Sequence, residues 1–195
     1  MKASAQNKPR KLNLGCGASI LDGYVNVDIA KSPGVNLVID LNKTPWPFED
    51  SQFEEIFIYH TLEHLENPVS ALSEMWRISK PGARIRIGVP YFASFLSFKD
   101  ITHKNFFTYD SFDNWDIKNF EGKKYVTHMN QKMRFKILKR KINFFGKNAG
   151  LKGVLTGILG FAPTFLINLC PRIYERFFFF YFPASNIDYE LEVVK

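Results

Sequence analysis

Gly15-Cys16-Gly17 closes one short apolar run, and a lone acid, Asp28, closes the next. Glycine has no Cβ, so a Gly-x-Gly break permits a tight turn and lets a ligand lie against bare backbone. A single carboxylate matches the two hydroxyl donors of a ribose in a bidentate way, and Asp28 is placed for that. A second acid, Asp40, closes the following run. Two acids ending successive runs lie where open α/β sheets bind ligands, at the carboxyl edge. His60-Thr61-Leu62-Glu63-His64 then adds two imidazoles and a carboxylate, and His103 stands farther on among phenylalanines.

These groups need a scaffold, and the apolar pattern supplies one. Runs over Lys11 to Cys16, Tyr24 to Ile29, Val35 to Ile39 and Glu54 to Tyr59 read as strands. Asn67-Pro68 is an N-cap and first-turn pair, and Val69, Leu72, Met75, Trp76 and Ile78 follow at helical spacing. Lys80-Pro81-Gly82 stops that helix, and Ala83 to Val89 alternates as a fifth strand. Strand, helix, strand is a crossover unit, which makes a parallel sheet. Ala18 to Gly23 leaves room for a turn only between the first two strands. Beyond Pro90 the chain turns aromatic. Tyr125 to Lys141 reads as a strand or hairpin arm and Ile187 to Val194 as a last strand. Between them, Leu151, Val154, Leu155, Ile158, Leu159, Ala162, Phe165, Leu166 and Leu169 form an amphipathic helix kinked at Pro163. Gly153, Gly157, Gly160 and Asn168 lie toward its other side.

The strings Leu12-Asn13-Leu14-Gly15-Cys16-Gly17 and Gly23-Tyr24-Val25-Asn26-Val27-Asp28 resemble the class I S-adenosylmethionine (AdoMet)-dependent methyltransferases. Pro45-Trp46-Pro47-Phe48, Phe53-Glu54-Glu55-Ile56, His60 to Leu65 and Lys80-Pro81-Gly82 are similar to later motifs of the small, type 11-like members, in matching order. The resemblance spans roughly residues 10 to 90. It implies AdoMet as cofactor, held by Gly15, Cys16, Gly17, Asp28, Ile29, Asp40, Leu41 and His60. Gly15 and Gly17 would pass the methionine part, Asp28 the ribose, Asp40 with Leu41 the adenine, and His60 would flank the cofactor. The family often has a helix between its first two strands, which this chain has no length for. The expected fold is a mostly parallel Rossmann-like α/β sheet with an antiparallel C-terminal strand, an aromatic-rich insertion and an amphipathic helical segment. Residues 1–10 are expected to be a flexible arm and residues 11–195 one domain, with the insertions in 91–185.

A nicotinamide fold does not fit, because Ile20 stands where a third glycine is needed and Asp28 comes too soon. His60 to His64 spells H-x-x-E-H, a zinc pattern on a helix, yet a strand ends just before it and Asn67-Pro68 opens a new helix just after. No metal is expected there, and Glu63 with His64 reads as a surface segment. For the transfer step, His103 and His60 are the candidate bases, with Tyr91 and Tyr109 on an aromatic wall that suits packing.

The chain has 195 residues, 46% hydrophobic and 23% charged, enough for one sizeable core. Two cysteines and no apparent leader suggest a reducing cytoplasm. The net charge of +7 and pI near 9.3 suit anionic partners. The basic run Arg134 to Lys141 offers an RNA methyltransferase alternative. No charge falls between Gly153 and Pro171, and six aromatics run from Phe177 to Phe182. Glycines, Pro163 and Asn168 argue against a span. An interfacial helix flanked by Lys147, Lys152, Arg172 and Arg176 on anionic lipid is the sharper reading. The expected function is methyl transfer to a small-molecule, glycan-linked or lipid-linked acceptor, set against a non-catalytic AdoMet-binding scaffold.

Overall fold

The predicted strands form as β1 (Lys11–Leu14), β2 (Val25–Asp28), β3 (Leu37–Val38), β4 (Phe53–Tyr59), β5 (Ser79–Pro90), β6 (Arg134–Asn143) and β7 (Asn186–Val194). This is a computed structural model, and it describes residues 10–121, 132–145 and 150–195. The seven strands make one sheet in the order β3-β2-β1-β4-β5-β7-β6. β1 to β5 run parallel, and β7 lies antiparallel between β5 and β6. β1 is flanked by β2 on one side and β4 on the other, so strand order reverses there and a crevice opens beyond the carboxyl ends.

Helix α1 (Pro68–Ile78) starts where the sequence places it, with Asn67 Oδ1 accepting from the Ser70 N–H at 3.0 Å. It buries Ala71, Leu72, Met75 and Ile78. The central strands contribute Leu12, Leu14, Ile56, Ile58, Ile85 and Ile87, all fully buried. Short helices α2 (Phe95–Lys99) and α3 (Ile117–Glu121) follow, then α4 (Gly150–Leu169). The loop joining β1 to β2 holds no helix. Asn13 Nδ2 donates to Asn26 Oδ1 and to the Ser19 carbonyl, both at 2.8 Å, and Asn26 Oδ1 accepts from Leu21 N–H at 2.9 Å. Two buried amides hold a loop too short for a helix.

Two readings change. The run Val35 to Ile39 pairs over two residues only. Lys80-Pro81-Gly82 ends α1 but not the strand, because Ser79 already pairs with Phe53. The register shifts between Phe53 and Glu55, and Gly82 takes φ +76°, so the tripeptide is a bulge inside β5. The amphipathic helix forms as α4, and its contacts fix which side is covered. Its small and polar line faces the protein: Gly160 abuts Phe145, Thr164 Oγ1 accepts from Phe144 N–H, and Asn168 bonds both ways with Ile142. Leu159, Phe165, Leu166 and Leu169 therefore point outward, exposed. The Asn168 amide serves β6 as a substitute neighbouring strand and covers part of its free edge. Tyr125 to Gln131 and most of the N-terminal arm lie outside the described residues.

Candidate functional site

Gly15, Asp28, Asp40 and His60 all stand just past, or at, the carboxyl ends of β1 to β4. Gly15 and Gly17 adopt φ +63° and +49°, a left-handed conformation that side chains resist. A Cβ on Gly15 would overlap the Thr61 side chain, whereas nothing lies within 4 Å of one placed on Gly17. Gly15 is therefore a close approach between β1 and the end of β4, and Gly17 presents open backbone. Thr61 Oγ1 lies 3.4 Å from the Gly15 carbonyl and 3.1 Å from that of Tyr59.

The carboxylate of Asp28 reaches back to this loop. Its Oδ2 accepts from Gly17 N–H at 2.8 Å and its Oδ1 from Ala30 N–H at 3.0 Å. A carboxylate has about four acceptor positions, so capacity remains for two hydroxyls. Cys16 is buried, its N–H bonded to Val27 O at 2.9 Å, and burial followed by the Asp28 charge pushes its thiol pKa up. Ile29 is exposed beside Asp28, and Leu41 is buried behind Asp40. Asp40 Oδ1 accepts from Asn42 N–H at 3.0 Å.

The Trp46 motif supports this edge from behind. Trp46 Nε1 donates to Leu41 O at 3.2 Å, and its N–H donates to Glu74 Oε2 at 2.7 Å. Arg77 holds Glu74 through two 2.8 Å contacts and donates to the Trp46 and Phe48 carbonyls. The guanidinium keeps the Glu74 carboxyl below its ordinary range. α1 thus fixes the loop that carries Asp40 and Leu41.

His60 has φ +51°, unusual for a residue with a side chain, and its N–H is held by Gly88 O at 2.8 Å. Its Nδ1 lies 3.3 Å from Glu63 Oε1. His60 and His103 line one cavity of about 500 Å³, with Glu63, His64, Pro90 and Asp100. The two candidate bases are brought together at the ends of β4 and β5. The surface reading of Glu63 fails, since the residue is 1% exposed. Its backbone carbonyl accepts from Lys104 and Asn105 N–H at 2.7 and 3.1 Å, which draws the loop bearing His103 over it. Nothing in the local sequence signals that cover, because it comes from forty residues away.

Tyr91 closes the other side. It is fully buried, and burial, then the Glu175 charge, drives its hydroxyl well above the usual range. Its ring sits 6.0 Å from that of Tyr174, and Phe92 sits 5.1 Å from Phe179. The aromatic run 177–182 is thereby tied to the end of β5. Tyr174, with its hydroxyl pKa pushed up to about 12 by burial, donates to Phe182 O at 2.7 Å.

The basic run on β6 is largely answered by acids. Lys136, Lys139 and Lys141 stand opposite Glu192, Glu190 and Asp188 of β7. Arg140 turns inward to Asp110, Asp113 and Asp116.

A profile described as a methyltransferase domain matches residues 24–87. An uncharacterized protein of Methanocaldococcus jannaschii is 30% identical over 145 residues, 68% of this chain and 67% of that one. A SAM-dependent methyltransferase from Archaeoglobus fulgidus superposes with TM-score 0.53 at 15% identity, covering 94% of this chain and 86% of that one. The YcgJ protein of Bacillus subtilis gives TM-score 0.53 at 12% identity, with 96% and 92% covered. At such identities these two likenesses speak for the fold.

Proposed function

Since the chain belongs to the class I AdoMet-dependent methyltransferases, we propose that it binds AdoMet at the β1–β2 edge and methylates a lipid-linked or glycan-linked acceptor at a membrane surface. The observation that carries the cofactor assignment is the Asp28 carboxylate bonded to Gly17 N–H at 2.8 Å. Bare backbone and a carboxylate with spare acceptor capacity converge on one place. Gly15, Cys16 and Gly17 would lie along the methionine part, Asp28 would take the ribose hydroxyls, and Ile29, Asp40 and Leu41 would border the adenine. His60 would flank the group from β4.

AdoMet supplies a methyl group on a positively charged sulfur. Its transfer disperses charge, so the protein's main task is to hold the acceptor in line and at contact distance, worth about 7–11 kcal/mol in favourable cases. His60 and His103 face the cavity where an acceptor proton would leave, and either imidazole has the chemistry to take it. The His103 Nδ1 lies 3.0 Å from Ser97 O, a carbonyl that can only accept, so Nε2 is the nitrogen left with a lone pair.

The membrane part of the reading rests on α4 and the segment after it. Phe161, Phe165, Leu166, Leu169, Phe177 and Phe180 are each more than half exposed, with Arg172 and Arg176 among them. An apolar cavity of about 600 Å³ opens between α4 and this segment. No helix among the described residues is long and apolar enough to cross a membrane, so these side chains would enter the interface from one side. The acids facing β6 favour this over RNA binding. The free cysteines suit the cytoplasmic leaflet.

Incubation with methyl-labelled AdoMet and fractionated cell extract tests the acceptor class. Label is expected in the lipid fraction; label confined to RNA would overturn it. Sedimentation with anionic liposomes should carry the parent protein down and leave a Phe161→Ser, Phe165→Ser, Leu169→Ser variant in solution. A parent that stays in the supernatant at low salt would remove the membrane claim.

A further inference from the structure

We propose that Glu63, His64 and His103 form a binding site for one divalent transition-metal ion, of the zinc or cobalt type, in the wall of the acceptor cavity. One donor atom from each of the three lies within 4.8 Å of the others. The set differs from the H-x-x-E-H pair weighed from sequence. Leu62–His64 is a single 3-10 turn, and the third ligand arrives from the loop after α2.

The hydrogen bonds around the three residues leave each imidazole one nitrogen lone pair and Glu63 one carboxylate oxygen for a ligand. His103 Nδ1 must donate to the Ser97 carbonyl at 3.0 Å. Thr102 Oγ1 donates to Asp100 Oδ1 at 2.7 Å, so it accepts from His64 Nδ1 at 2.8 Å. Each imidazole is thus held with its proton on Nδ1 and its lone pair on Nε2, the arrangement seen where an outer carbonyl or carboxylate orients a metal ligand. The rings meet edge to face at 4.6 Å between centroids. Glu63 Oε2 is buried and has no hydrogen-bond partner among the described residues. Leaving a carboxylate oxygen buried and unpaired is costly. A cation shared with two imidazole lone pairs would relieve that cost.

Two nitrogens and one carboxylate oxygen select zinc, cobalt or nickel over magnesium or calcium. Three protein ligands leave at least one position open, as in catalytic zinc sites. With His103 Nε2 given to the ion, His60 is the base left in that cavity, and an acceptor hydroxyl bound at the open position would lose its proton more readily. This last consequence rests on the methyltransferase reading; the ion site itself does not.

The test is a titration of chelator-treated full-length protein with Co(II), followed by calorimetry and visible absorption, without AdoMet. One equivalent should bind with nitrogen-ligand absorption, and Mg(II) should not compete. His103→Ala and Glu63→Gln should each weaken binding at least tenfold. Should either unfold by circular dichroism, Thr102→Val tests the same site by freeing His64 Nδ1, with a loss of about 10–100-fold expected. Equal Co(II) affinity in the parent and these variants, or no binding by the parent, would overturn the proposal. Because AdoMet is absent throughout, failure here leaves the cofactor reading standing, and failure of AdoMet binding leaves the ion site standing.

Discussion

Replacing Gly15 with alanine attacks the close approach between β1 and the end of β4. At φ +63° an alanine pays about 1–2 kcal/mol for the left-handed conformation. Its Cβ would overlap Thr61 Oγ1 and lie 2.8 Å from Thr61 Cβ, so rotating the hydroxyl away does not clear the clash. Forcing an extra carbon into such a contact costs about 1–3 kcal/mol. Displacing Thr61 from the Gly15 and Tyr59 carbonyls adds about 1 kcal/mol. The sum is about 3–6 kcal/mol. For 195 residues each kcal/mol shifts Tm by about 2–4 °C, so a drop of roughly 6 °C or more is expected. Urea unfolding of Gly15→Ala, Thr61→Gly and the double variant forms a cycle. The Thr61 truncation removes the clash but not the backbone cost, so the two changes should be coupled by about 1–3 kcal/mol. A Gly15→Ala protein within about 0.5 kcal/mol of the parent, or an additive cycle, would refute the reasoning.

Arg77→Met should destabilise by about 3 kcal/mol at neutral pH, because it leaves the buried Glu74 carboxylate without its guanidinium. Glu74 has a lowered folded pKa, so its pairing contributes above the ordinary value near 4.5 and is lost as pH falls through the folded pKa. The parent–variant gap in urea unfolding should therefore shrink below pH 4.5, and a gap that widens there would contradict the assignment. Asn168→Ala removes both bonds to Ile142, at 3.0 and 2.6 Å. A loss of about 1–3 kcal/mol is expected in unfolding, with faster aggregation in light scattering as β6 is bared. An unchanged midpoint and scattering trace would show that the amide does not seal the edge.

The parallel half of the sheet is legible because each of its features is local. Val25 to Asp28 and Phe53 to Tyr59 carry their own apolar pattern, Asn67-Pro68 its own cap, and Gly15 with Asp28 its own chemistry. What escaped depends on distant partners. The bulge at Lys80-Pro81-Gly82 exists because Phe53 offers Ser79 a pairing position. Glu63 is buried because Lys104 and Asn105 close over it. The orientation of α4 is a sharper lesson: periodicity found its apolar stripe, but helical pattern alone does not say which side is covered. The free edge of β6 took Thr164 and Asn168 as hydrogen-bonding partners and left Phe165 and Leu166 outside.

Cofactor binding at this edge depends most on Asp28 as the ribose ligand. Calorimetric titration with AdoMet should show saturable binding to the parent protein. Asp28→Ala removes two charge-assisted hydrogen bonds, so affinity should fall by at least about 2 kcal/mol, or roughly 30-fold. Equal affinity in the two proteins, or no binding by the parent, would contradict it.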